Sequence, residues 1–94
     1  MTVSMFSRHK VDDFATWKEL YDDAAPARQK LGILADSVHS APDDPNTIIV
    51  YHQFADMHQL NGMNALMQSE EGQSIFKSAG VQLDTIELWV GEDV

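Results

Sequence analysis

The chain contains 94 residues, no cysteine and a formal net charge of −9. This length suits one domain over residues 1–94, and without cysteine there is no disulfide, thiolate zinc site or cysteine nucleophile. From residue 31 onward Lys77 is the only Lys or Arg, so the clustered basic residues that bind nucleic acid or anionic membrane surfaces are missing. Because no secretory signal or membrane-spanning segment is recognisable, we expect a cytoplasmic protein.

A strand followed by a helix is predicted for the first third of the chain. Residues 2–10 mix apolar and polar side chains without helical spacing, which is typical of a strand. Asp13 suits the N-cap of a helix in which apolar residues recur at three- and four-residue steps. Pro26 lies inside this helix, so we expect a kink or a restart near Ala24–Ala25, with Gly32 ending the segment.

The remaining two thirds of the chain predict three strands and a second, interrupted helix. The predicted strands are Ile33–Ala41, Thr47–Phe54 and Thr85–Val90, and the helix starts at Asp56, restarts at Ser69 and ends at Gly80. A turn at 42–46, rich in Pro and Asp, joins the second and third strands into a hairpin.

The order β-α-β-β-α-β predicts an α+β, ferredoxin-like fold, in which a four-stranded antiparallel sheet carries two helices on one face. Alternation along the strands sends Ile49, Tyr51 and Trp89 to the opposite face, which neither helix can cover. An apolar sheet face without a cover predicts a second copy of the chain as its partner. We therefore expect a homodimer that forms through this face.

A series of short motifs is spaced along nearly the whole chain. They are Arg8-His9-Lys10-Val11, Asp13-Phe14, Trp17-Lys18, Ala25-Pro26, Arg28, Gly32, Asp43-Asp44-Pro45-Asn46, Phe54-Ala55-Asp56, Met67, Ser69, Glu71 and Ala79-Gly80-Val81. In these motifs the sequence resembles the dimeric α+β barrel superfamily, whose best-known branch is the antibiotic-biosynthesis-type monooxygenases. Within it, the sequence is most similar to small bacterial proteins without an assigned reaction.

The resemblance implies a dimeric α+β barrel that binds a small hydrophobic or aromatic ligand between sheet and helices. One activity that it implies is that of a cofactor-independent monooxygenase. The superfamily also includes haem-degrading enzymes, isomerases and dehydratases, so the fold does not select one reaction. Haem is disfavoured because the axial histidine of the haem-degrading members has only His58 as a counterpart here. We expect no cofactor.

His9 and His52 are the candidate catalytic residues. The sequence interpretation takes the first and third strands as parallel neighbours, which would bring both histidines together beneath Trp17 of the first helix. A neutral histidine can accept a proton from a phenol or enol, and the resulting anion can give an electron to oxygen. The predicted substrate-binding residues are Phe14, Trp17, Met63 and Asn64.

Ordinary structural roles compete with these assignments. A histidine at a strand end often supports the following loop, Trp17 occupies a core position of its helix, and Met63 suits core packing. No pair of histidines has the i, i+4 spacing of a helical metal site, so we expect no metal. The alternatives are an enzyme, a non-catalytic ligand-binding module, and a structural dimer that presents an acidic surface to a protein partner.

Overall fold

The computed structural model describes residues 1–94 and contains four strands and four helices. In chain order they are β1 (Val3–Lys10), α1 (Phe14–Asp23), α2 (Ala25–Lys30), β2 (Ile33–Ala41), β3 (Asp44–Phe54), α3 (Met57–Gln68), α4 (Glu70–Ser78) and β4 (Glu87–Glu92). The predicted β-α-β-β-α-β order is confirmed, with each predicted helix divided into two consecutive segments.

The four strands form one sheet in the order β2-β3-β1-β4, and every neighbouring pair is antiparallel. β1 and β3 are the central strands, with Val3 opposite Phe54 and His9 opposite Ile48. The α+β, ferredoxin-like fold predicted from the sequence is therefore confirmed.

The first helical pair breaks at Ala24, where the sequence predicts a restart. Asp13 caps α1 by accepting a hydrogen bond of 3.0 Å from the Thr16 N–H. Pro26 lies in the first turn of α2, where its missing N–H removes no helical hydrogen bond. After α2, Gly32 adopts a φ of +91°, a left-handed conformation that closes the segment.

The second helical pair breaks at Ser69, whose hydroxyl accepts a hydrogen bond of 3.1 Å from the Gly72 N–H and so caps α4. A Cβ atom at Gly72 would collide with the backbone of Leu66 and Met67 at the end of α3. Glycine is therefore what lets α4 start directly against α3. No helix of the protein has the length and hydropathy that a bilayer span requires.

Two strand boundaries differ from the prediction. β3 begins at Asp44 rather than Thr47, because the hairpin turn occupies only residues 42–43. β4 begins at Glu87 rather than Thr85, because residues 83–85 form a 3₁₀ turn before it. Neither difference changes the face on which a strand residue lies.

The buried core lies between the sheet and the helices in two clusters. One comprises Val3, Met5, Ile33, Phe54, Leu60 and Met63. The other comprises Val11, Trp17, Ile48, Val50 and Val81, with Phe14 and Tyr21 packed against it. The β1 and β3 members of both clusters share one face of the sheet, hereafter the helical face.

The opposite face of the sheet, hereafter the bare face, has no helix over it. Phe6 of β1 lies between Tyr51 of β3 and Trp89 of β4 in the strand register, and the Phe6 and Tyr51 ring centroids are 5.3 Å apart. Ile49 lies on the same face, and Trp89 is 53 % exposed. The sequence prediction that Ile49, Tyr51 and Trp89 share an uncovered face is confirmed.

Candidate functional site

His9 and His52 both lie on the helical face, but they are not neighbours as the sequence interpretation expected. β1 and β3 run antiparallel, so His9 pairs with Ile48 while His52 pairs with Met5. His9 lies four positions after Met5 along β1, which is roughly 13 Å in a strand. The expected parallel arrangement was wrong because the β2–β3 hairpin reverses the chain before β3 enters the centre of the sheet.

His52 is held by a network of polar side chains. Its Nε2 atom lies 2.9 Å from the Tyr21 hydroxyl, and the same hydroxyl lies 2.8 Å from Asp36 Oδ2. Arg28 stacks over the Tyr21 ring at 3.5 Å, lies 3.5 Å from Asp36 and donates a hydrogen bond to the Tyr21 carbonyl. One side chain from each of α1, α2, β2 and β3 thus converges on this network.

The network defines the protonation state of His52. The Tyr21 hydroxyl has one proton, which Asp36 accepts, so the hydroxyl oxygen in turn accepts the Nε2–H of His52. Nδ1 is then the unprotonated nitrogen. Burial lowers the pKa of His52 to about 4, and the nearby Asp36 charge opposes this shift only in part. Burial and the hydrogen bond to Asp36 raise the pKa of Tyr21.

His9 is buried to the same extent but has no such network. It is 7 % exposed, and neither Nδ1 nor Nε2 has a hydrogen-bond partner. Its ring meets the edge of Trp17 at a centroid distance of 5.9 Å. Burial lowers the pKa of His9 to about 4, so the imidazole is neutral at pH 7. A buried imidazole with both nitrogens unpaired is an exception that calls for an explanation.

Aromatic rings fill the space between the two histidines. Trp17 stacks on Tyr21 at a centroid distance of 4.9 Å, and Tyr21 stacks on His52 at 6.2 Å. The sequence therefore predicted the right helix position for Trp17, but the ring separates the two histidines instead of covering both. Phe14 is partly buried and lies 6.3 Å from Trp17.

The two predicted substrate contacts on α3 lie elsewhere. Met63 belongs to the core cluster around Phe54 and Leu60, which does not include Trp17. Asn64, the next residue, is half-buried. The structure thus brings His9 together with Trp17, which Phe14 also contacts, and places Met63 in a different part of the core.

The part of the helical face that β4 forms is open to solvent. In the register of β1 and β4, Ser7 pairs with Leu88 and Met5 pairs with Val90, so Leu88 and Val90 lie on the helical face. They are nevertheless 46 % and 47 % exposed. The helices therefore leave an apolar shelf of Leu88 and Val90, hereafter the β4 shelf. Leu88 is the member nearer to His9, because its register partner Ser7 lies two residues before His9 on β1.

Sequence reasoning missed the roles of Tyr21, Asp36 and Arg28. Tyr21 follows Trp17 by one helical turn, so a shared helix face was visible in the sequence. The contacts of Asp36 and Arg28 with Tyr21 had no local signal, because they join β2 and α2 to α1 only in the folded chain.

Comparison with solved structures finds the same fold in several proteins. A Bordetella bronchiseptica protein with the provisional name antibiotic biosynthesis monooxygenase is 13 % identical, with a TM-score of 0.75 over 99 % of this chain and 97 % of that one. A conserved Methanosarcina mazei protein is 13 % identical, with a TM-score of 0.71 over 100 % and 94 %. SnoaB, a cofactor-independent oxygenase from Streptomyces nogalater, is 12 % identical, with a TM-score of 0.70 over 99 % and 93 %.

These similarities show that the chain has the fold of the antibiotic-biosynthesis-monooxygenase-like proteins. No protein-family model matches the sequence, and no curated protein matches it. At such low sequence identity the shared fold does not carry over an activity. The chemistry must therefore be argued from the residues of this chain.

Proposed function

We propose that the protein binds a small molecule on the helical face beside His9, and that it does so as a homodimer. The observation that carries the proposal is the His9 imidazole, buried without a partner for either nitrogen. A neutral imidazole has one donor and one acceptor, and each costs about 1–3 kcal/mol when left unpaired. A ligand with complementary polar atoms would recover part of this free energy.

The surroundings of His9 suggest the class of ligand. Leu88 of the β4 shelf and the ring of Trp17 would offer apolar contact, while the His9 nitrogens offer one donor and one acceptor. This combination suits a small hydrophobic or aromatic molecule with a hydroxyl or carbonyl group. Phe14 would support the Trp17 ring from the core, whereas the two residues predicted on α3, Met63 and Asn64, would not take part in this site.

A cofactor-independent monooxygenase acting on a phenol or enol is the enzymatic form of this proposal. The fold shared with a cofactor-independent oxygenase supports it, and His9 would accept the proton of the hydroxyl group. Burial lowers the pKa of His9 to about 4 in the ligand-free protein. The ligand anion would therefore have to raise that pKa for the proton transfer to succeed. His52 would not contact the ligand directly, because the stacked rings of Trp17 and Tyr21 lie between it and His9. The alternative is a ligand-binding module without catalysis.

1-Naphthol, an aromatic molecule with one hydroxyl group, tests both forms of the proposal. We expect titration to shift the NMR signals of the Trp17 indole and the His9 ring to saturation. His9→Leu should weaken binding by about tenfold, the worth of one hydrogen bond. His58→Leu is the matched control, because His58 is exposed on α3, and it should leave binding unchanged.

Oxygen uptake in the same samples separates the enzyme from the binding module. Uptake that requires both protein and 1-naphthol, and that His9→Leu abolishes, would support the enzyme. Binding with recovery of unchanged 1-naphthol would support the module. If 1-naphthol shifts neither Trp17 nor His9, or if His9→Leu binds as well as the parent, the site beside His9 is wrong.

The homodimer is proposed to form through the bare face. Phe6, Ile49, Tyr51 and Trp89 form one apolar patch on a sheet that no helix covers. A second copy is the partner that this self-complementary patch fits best, since two such faces can stack about 10 Å apart like the sheets of a sandwich. Covering the patch would also compensate for the modest core of a short chain.

Trp89→Asp tests the interface, because it would place an unpaired charge within the patch. We expect light scattering to show a monomer for this variant and a dimer for the parent protein. Ile75→Asp is the matched control, since Ile75 is equally exposed but lies on α4, and it should leave the dimer intact. A dimer that survives Trp89→Asp would show that the copies meet through another surface.

A further inference from the structure

A cavity of about 230 Å³ lies where β1 ends and β4 begins. Its lining consists of Arg8, His9, Lys10, Thr47, Thr85 and Glu87, without an apolar residue. Strand alternation places Arg8 and Lys10 on the bare face, whereas the His9 ring packs against Trp17 on the helical face. This basic cavity is therefore separate from the ligand site proposed beside His9. It shares the bare face with the proposed dimer interface, at the end of which, beside Ile49, it would lie.

Neither cation of the basic cavity forms an ion pair within the chain, although hydrogen bonds from Thr47 and Asn46 lower the pKa of nearby Asp44 and the charge of Lys10 adds to that shift. The ion pairs of the protein are Lys18–Asp22 and Arg28–Asp36, and neither includes Arg8 or Lys10. Glu87 pairs with Arg8 in the strand register but forms no ion pair with it. In a chain with a net charge of −9, two unpaired cations that line one cavity are a local exception to the acidic surface.

The two hydroxyl groups of the cavity already form hydrogen bonds within the chain. Thr85 accepts a hydrogen bond of 2.9 Å from the Lys10 N–H and donates one of 2.6 Å to the Gln82 carbonyl. Thr47 donates a hydrogen bond of 2.8 Å to Asp44. The groups free to bind a ligand are thus the donors of Arg8 and Lys10 and the acceptor of Glu87.

We infer that the basic cavity binds a small organic acid, with its carboxylate between Arg8 and Lys10 and a hydroxyl or amino group donating to Glu87. The guanidinium and the ammonium form charge-assisted hydrogen bonds with a carboxylate. Glu87 disfavours a dianion such as phosphate, because its charge repels the second negative charge. The volume equals that of roughly seven water molecules, which limits the ligand to a short-chain or single-ring acid.

Three single-ring probes test the carboxylate and the hydroxyl group of the ligand separately: 4-hydroxybenzoate, benzoate and 4-hydroxybenzamide. We expect NMR titration to shift the amide signals of Lys10, Thr85 and Glu87, with 4-hydroxybenzoate binding tightest. Loss of the hydroxyl should cost about tenfold in affinity, and replacement of the carboxylate by the neutral amide should cost more. Binding of both carboxylates should weaken as salt is added.

Charge-removing variants give effects of opposite sign in the same assay. Arg8→Gln and Lys10→Gln should each weaken benzoate binding by about tenfold, while Glu87→Gln should strengthen it, a gain that no folding defect produces. Lys77→Gln, which removes an equal charge from α4, is the control and should change nothing. The inference is overturned if benzoate and the amide bind equally, if neither binds, or if Glu87→Gln weakens benzoate.

Discussion

The surroundings of His9 and of His52 differ although the two residues have much in common. Both lie on the helical face, both are more than nine-tenths buried, and burial lowers the pKa of each to about 4. His52 nevertheless has its Nε2–H satisfied by Tyr21, while His9 has no partner at all. Equal burial and equal pKa therefore do not distinguish the two histidines.

The two histidines differ in their hydrogen-bond partners. The His52 region joins four elements through Tyr21, Asp36 and Arg28, which is the pattern of a stabilising network. The His9 region leaves both ring nitrogens unpaired, and the proposed ligand site rests on this difference. Removing His9 should therefore raise the stability of the protein, whereas removing His52 should lower it.

Acidification should produce the largest effect, and it should involve both regions. Each histidine binds its proton near pH 6.5 in the unfolded chain and near pH 4 in the folded one. Between these values the unfolded state holds more protons, so stability falls as pH decreases, by about 3 kcal/mol per histidine. Urea denaturation between pH 7 and pH 4 measures the loss. A free energy of unfolding that stays constant between pH 7 and pH 4 would contradict the lowered pKa values of the two buried histidines.

Tyr21→Phe should produce the next largest effect, confined to the His52 region. The change leaves the His52 Nε2–H and Asp36 without their common partner, which should lower the free energy of unfolding by about 1–3 kcal/mol. Tyr51→Phe on the bare face is the matched control, because the only hydrogen-bond partner of its hydroxyl is Ser4 at 3.5 Å. Equal losses in the two variants, measured by urea denaturation at pH 7, would show that the network adds no stability.

His9→Leu should produce the smallest effect, with the opposite sign. Leucine fills a similar volume without unpaired polar atoms, so the ligand-free protein should gain about 1 kcal/mol at pH 7. His52→Leu, which breaks the Tyr21 bond, should lose stability in the same urea denaturation experiment. A loss of stability in His9→Leu would mean that His9 has a partner such as a buried water molecule.

Part of the candidate site could be predicted from the sequence. The positions of His9 and Trp17 near the junction of β1 and α1 followed from strand and helix periodicity, and the exposure of Tyr51 and Trp89 followed from strand alternation. The separation of His9 from His52 could not be read in this way, because it depends on the relative direction of β1 and β3. Likewise Asp36, on β2, meets Tyr21 only through long-range packing.

The sequence by itself determined the order of elements, the caps at Asp13, Asp56 and Ser69, and the alternation that sorts strand residues onto two faces, because these depend on near neighbours along the chain. Only the tertiary structure decided which histidine is paired, which part of the helical face is open, and where Arg8 and Lys10 meet Glu87 in a cavity. Those features depend on strand direction and helix placement, which are set by contacts between residues far apart in the sequence.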